Sequence, residues 1–160
     1  MPVYTLSGFD IPGTVVLADF PEVLRQINAR AALIVQREAR DNAFAFRDTG
    51  ALARSIQAQV DDLTVTISVP ANQPTAAYAN VMELGRTAGR HPPRVAPPER
   101  NVLAGWMRRH GIPESAAYVI ARAIGQRGIR GRLYMERAYR SLEQQMPAII
   151  NTVMGRMGLT

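Results

Sequence analysis

A chain of 160 residues, 47% of them hydrophobic, is long enough to bury a core as a single domain over residues 1–160. It has no cysteine, which excludes disulfides and thiolate chemistry, and no apolar run long enough to span a bilayer. Its formal net charge of +6 is unevenly placed: residues 1–85 hold six arginines against nine acids, residues 86–160 thirteen against four. One end of the molecule is therefore expected to meet something acidic.

The pieces YTLSGFD and TVVLADF, separated by Pro12-Gly13, predict a weak strand, a turn and an extended lead-in. Asp19 stands where an N-cap belongs, with Pro21 in the first turn and Glu22 three residues on. Val23, Leu24, Ile27, Ala31, Ile34, Val35 and Ala39 then recur at three and four, while Arg25, Arg30, Arg37 and Arg40 fall mainly on the other side. This predicts a long amphipathic helix over about residues 21–43. Thr49 and Gly50 suit a cap and a change of direction. SIQAQV and LTVTISV alternate across Asp61-Asp62 and predict a hairpin whose Leu63, Val65, Ile67 and Val69 face packs on the long helix.

TAAYANVMELG predicts a short helix stopped by Gly85, with Tyr78, Met82 and Leu84 in the core. Residues 81–100, VMELGRTAGRHPPRVAPPER, are too rich in proline for a helix, so an extended Pro/Arg-rich arm is expected at about residues 86–98. Helices ending on Gly111, and on Gly125 or Gly128, follow. A last helix, LYMERAYRSLEQQM, runs up to Pro147, which should kink or restart the chain. The fold class is α+β: a small antiparallel β-sheet (hairpin) packed on a long amphipathic helix, with a helical C-terminal half and the extended arm.

Chemistry is sparse. His91 and His110 lie on different elements with no metal-ligand spacing, so no metal or cofactor is expected. Glu83 ends an otherwise apolar helix, but one carboxylate without a nucleophile or second base does not make an active site. With Gly85 it reads as a structural turn, pairing with an arginine or accepting backbone N–H groups near ELG, and the chain is expected not to be an enzyme. Trp106, at helical spacing from Val102 and Leu103, reads as core. QRGIRGRL places Arg127, Arg130 and Arg132 among glycines, open to an acidic partner or to phosphate. No basic amino-terminal region precedes an apolar stretch, so export is not expected.

The pieces TG-x-L-x-x-S-I (residues 49–56) and YA-x-x-x-E-x-G (residues 78–85), in this order between a long helix and a proline-rich arm, resemble the neck and tail-completion family of long-tailed bacteriophages. These are minor tail components, and the resemblance spans about residues 20–140. It implies a non-enzymatic virion protein made in the host cytoplasm, a ring subunit of six or twelve copies joining the head connector to the tail tube or tail terminator. The arm residues Arg86, Arg90, His91, Pro92, Pro93, Arg94, Pro97 and Pro98 would then form a subunit interface, because a heterologous contact closes a ring. Arg127, Arg130 and Arg132 would meet acidic partners or the phage DNA passing through the lumen, without sequence choice. The chain departs from the family pattern by an inserted helical pair near residues 99–126. A reading from another class competes: a nucleic-acid-binding protein, non-specific or helix-turn-helix-like through the HGIP connection. Against it, AAYVIARAI offers few polar base-reading side chains.

Overall fold

A computed structural model describes residues 4–6, 20–61, 64–89 and 102–159. It divides into two compact units. Unit 1 holds the chain up to Glu83 and again from Leu133 onward, and unit 2 is Leu84–Arg132. Where length suggested a single domain, unit 2 lies in chain order between the two segments of unit 1.

In unit 1, β1 (Tyr4–Leu6), β2 (Gln57–Asp61) and β3 (Thr64–Ser68) form an antiparallel sheet in the order β1-β3-β2. Ala58 faces Ile67 and Val60 faces Val65 across the hairpin, while Tyr4 faces Ile67 from the other side. Val65, Ile67 and Val69 are buried, as the period-2 alternation predicts. Asp19, Asp62 and Leu63 lie outside the described residues.

Helix α1 (Phe20–Phe44) buries Val23, Ile27, Ala31, Val35, Ala39 and Ala43, a strict four-residue repeat that lines one stripe. It touches the sheet, but it packs most extensively on α6 (Tyr134–Arg156), a partner the hydrophobic pattern did not reveal. The two helices run antiparallel: Asn42 Nδ2 donates to the Tyr134 carbonyl (3.2 Å), and Gln145 Nε2 donates to Glu38 Oε1 (2.6 Å). Alanines at 31, 39 and 43 keep α1 slim enough for α6 to approach, and α6 supplies the bulk with Met135, Leu142, Met146, Ile150 and Val153. Leu24 and Ile34, expected on the buried stripe, are only partly buried. At Pro147, where a kink or a restart was expected, helix α6 does not restart. It continues through this residue, which is exposed, so the Glu143 carbonyl that loses its N–H partner can turn to water.

The short helix α2 (Ala51–Ser55) links α1 to the sheet. Gly50 takes φ 73°, and Thr49 Oγ1 accepts the Ala51 N–H (3.3 Å). Ile56 is fully buried, and its carbonyl accepts Gln36 Nε2 (3.1 Å) and Arg40 Nη2 (2.8 Å). Arg40 is therefore partly buried at a joint rather than on the solvent side. Helix α3 (Ala76–Leu84) follows; Ala79 is buried and Met82 packs on the core. Tyr78 (36% exposed) and Leu84 (64%) do not join that core, correcting the reading of their apolar character.

Unit 2 contains β4 (Gly85–Arg86), α4 (Val102–Arg109), α5 (Ala117–Arg127) and β5 (Ile129–Arg130). β4 and β5 pair antiparallel, Gly85 with Arg130 and Arg86 with Ile129. Gly111 (φ 65°) ends α4, the Ile112 N–H donating back to the Met107 carbonyl (2.9 Å). A 3-10 turn, Glu114–Ala116, then leads into α5. Gly128 (φ 73°) stops α5; Gly125, the other candidate stop, is buried inside it.

Candidate functional site

Two places gather the residues that the sequence singled out. The first is the carboxylate of Glu83, in unit 1. It is the one acid in the buried class among the described residues, with no exposure at all. Its Oε2 accepts the Met135 N–H (2.9 Å) and its Oε1 the Glu136 N–H (3.0 Å). These are N–H groups of the first turn of α6, which have no acceptor within their own helix. The preceding residue, Leu133, adopts the left-handed conformation (φ 53°), and its N–H donates to the Glu83 carbonyl (3.1 Å). Glu83 thus caps α6 from a distance: its charge meets the positive end of the helix dipole, and its carbonyl holds the residue before it. Acceptance of backbone N–H groups agrees with the sequence reading. The donors, however, come from residues 52 and 53 positions away rather than from the ELG turn. Leu133 carries no sequence signal for this geometry, being a non-glycine residue at positive φ.

Ser55 Oγ donates to the Leu52 carbonyl (2.8 Å) and accepts the Thr75 hydroxyl (2.6 Å), both in buried surroundings. Both quoted motifs are therefore joints of the fold. Thr49, Gly50, Leu52, Ser55 and Ile56 shape the α2 corner, and Glu83 ties the end of α3 to the start of α6. Gly85 (φ 82°) begins the ribbon in unit 2, where a Cβ would stand 2.4 Å from the Ile129 carbonyl oxygen. No larger residue fits without backbone movement.

The second place is the surface of unit 2. By sequence this unit holds ten arginines against Glu99 and Glu114, a formal excess of eight positive charges. Arg127, Arg130 and Arg132 are all exposed, on α5, β5 and the segment after it, and Arg86 is partly buried on β4. Arg108, Arg109 and Arg122 are exposed as well. Trp106 is partly buried, its ring 4.7 Å from that of the exposed His110 at the end of α4. Sequence reasoning missed the outward face of α5, where Tyr118 (68% exposed) and Val119 (66%) accompany Arg122, Gln126 and Arg127. Arg90, His91, Pro92, Pro93, Arg94, Pro97 and Pro98 lie outside the described residues. Among the described residues no group of histidines and acids could hold a metal ion, and no helix is long and apolar enough to cross a membrane.

The chain matches no family model, no curated protein and no solved structure.

Proposed function

We propose that the protein is a virion structural component, a ring-forming neck or tail-completion subunit that joins the head connector to the tail and lines the DNA channel. The observation that carries this reading is where the two motifs behind the resemblance fall in the fold. TG-x-L-x-x-S-I builds the corner between the long helix and the sheet, and the glutamate of YA-x-x-x-E-x-G caps the last helix. Short motifs met by chance would not be expected to coincide with the joints of one frame. In this reading unit 1 is the body of the subunit. The stretch at residues 90–98 reaches a neighbour, where Arg90 and Arg94 meet carboxylates, while Arg86 is held in the β4–β5 ribbon of its own unit. The work is positional, not catalytic, and the partners are further copies, head-connector and tail proteins, and DNA in transit.

A density map of assembled particles tests this directly. Six or twelve copies encircling the channel at the head–tail joint are expected; a place on the capsid shell, or absence from the particle, refutes the proposal. The outward α5 face favours a second reading, a free-standing helix-turn-helix-like DNA-binding protein. A footprint on one specific sequence would select that reading instead.

A further inference from the structure

We infer that the outward face of α5, together with the exposed arginines of unit 2, is a docking surface for duplex DNA held through its phosphates. This deepens the proposal above by assigning its DNA-facing surface. It rests on that proposal only for where in a particle the DNA is met.

Ala117, Ala121 and Gly125 are the buried side of α5, spaced by four. The opposite side presents Tyr118, Arg122 and Gln126, again spaced by four and so stacked along one stripe, with Val119 and Arg127 on the next. The helix has 11 residues, about 16 Å of length at 1.5 Å per residue, enough to lie across a groove or along a phosphate backbone. Arg122 offers a planar fork of donors for phosphate oxygens, and the Tyr118 hydroxyl and Gln126 amide add neutral donors of the kind that contact DNA backbones. No hydrogen bond or ion pair engages the side chains of Arg108, Arg122, Arg127 or Arg130 among the described residues, so their guanidinium groups face solvent.

Charge then decides between occupants. Tyrosine, valine and arginine on one face would also suit a protein partner, above all a second copy of this chain. A second copy cannot neutralise the surface. Unit 1 has nine arginines against eleven acids, an excess of only two negative charges to set against the eight positive charges of unit 2. Each further copy in a ring brings another net +6. Self-association therefore accumulates positive charge, and the repulsion grows with copy number unless a polyanion from outside offsets it. Duplex DNA, with one negative charge per about 1.7 Å of axis, supplies that density, and the counterions it releases favour binding.

Glu114 sharpens the assignment. It is the only described acid of unit 2, exposed, and sits at the start of the turn that enters α5. It opposes phosphate at that end, so the DNA should sit over the later half of the helix, at Arg122, Gln126 and Arg127.

Fluorescence anisotropy of the full chain with a labelled random-sequence duplex, over a series of salt concentrations, tests the inference. Wild type should bind without sequence preference, with log affinity falling linearly in log salt. The double variant Arg122→Ala/Arg127→Ala should flatten that slope by about 0.9 for each phosphate it leaves unneutralised. Glu114→Gln should tighten binding several-fold, an outcome that misfolding cannot mimic. Circular dichroism checks that each variant stays folded. An unchanged slope in the double variant, no gain in Glu114→Gln, or equal binding of polyglutamate at matched charge would overturn the inference. Scoring the position and copy number of the protein in particles carrying the double variant keeps the two proposals apart. A ring in place with duplex binding abolished leaves the neck reading standing, whereas duplex binding without a ring removes it.

Discussion

Units 1 and 2 put their side chains to opposite ends. Unit 1 buries large side chains from α1, α6 and the sheet in one continuous cluster, among them Ile27, Ile67, Met135 and Leu142 with no more than 1% exposure. Its charges are balanced locally: Glu22 pairs with Arg25, and Glu136 with Arg140, on successive turns of their helices. Unit 2 buries Ala104, Met107, Ala117 and Ala121, and of these only Met107 is large. Among its described residues Arg108, Arg109, Arg122, Arg127, Arg130 and Arg132 are exposed, with a single acid, Glu114. The first arrangement gains stability from area removed from water. The second leaves much of its charge exposed to water.

The comparison breaks most easily at Glu83. Replacing it with alanine leaves the Met135 and Glu136 N–H groups without their acceptor, removing two charge-assisted hydrogen bonds. A loss of about 3 kcal/mol is expected, read as a lower urea midpoint by circular dichroism. Glu83→Gln keeps one acceptor oxygen and should lose roughly half as much. A wild-type midpoint for Glu83→Ala would show that the cap does not stabilise unit 1.

Gly128→Ala should act on unit 2 alone. The new Cβ would stand 2.1 Å from the Arg86 carbonyl oxygen, at a φ of 73° that disfavours any side chain. Local strain of about 1–3 kcal/mol is expected. It should appear as faster amide exchange in the β4–β5 ribbon and at Gly89, while α1 and α6 keep their protection. Equal loosening of α1 would mean that the units do not respond separately.

The smallest effect concerns Tyr139 on α6. Burial raises the pKa of its hydroxyl above the ordinary value of 10.0, helped by the negative charge of Glu143 and a hydrogen bond to it. The folded state therefore holds this proton more tightly than the unfolded chain does. The linked stability is fully present below pH 10 and drains away as pH rises through the folded value. Tyr139→Phe removes the titrating group, so the advantage of wild type over this variant should shrink between neutral pH and pH above about 10. A constant difference across that range would mean that Tyr139 titrates alike in both states.

What could be read in the sequence was whatever follows from local periodicity. The stripe of α1 came through because its four-residue repeat persists over six turns, and β3 because valine and isoleucine alternate with threonine and serine. Gly85 and Gly111 were legible as stops, and Gly128 as one of two candidates with Gly125, because each of the three takes a positive φ that few other residues tolerate. Features set by distant partners were not legible. Pro147 looked like a break, since a local rule cannot know that the packing of Leu142, Met146, Ile150 and Val153 carries the helix through it. On α5 the apolar residues run almost all round, and rank by hydrophobicity puts tyrosine and valine inside. The fold instead buries the alanines and Gly125, whose small size permits close approach, and leaves Tyr118 and Val119 outside. At the candidate site the arginines could be counted from the sequence, but the face that Arg122 shares with Gln126 could not. Glu83 was visible as an anomaly, without the helix end it serves.

The hydrogen bond from the Leu133 N–H to the Glu83 carbonyl ties together the points where the chain leaves unit 1 and returns to it. For unit 1, everything between them is one closed loop. The entropy of closing such a loop grows only logarithmically with its length, by about 0.6 kcal/mol per doubling. Segments of quite different size and sequence could therefore be carried between residues 83 and 133 at almost the same cost to the frame.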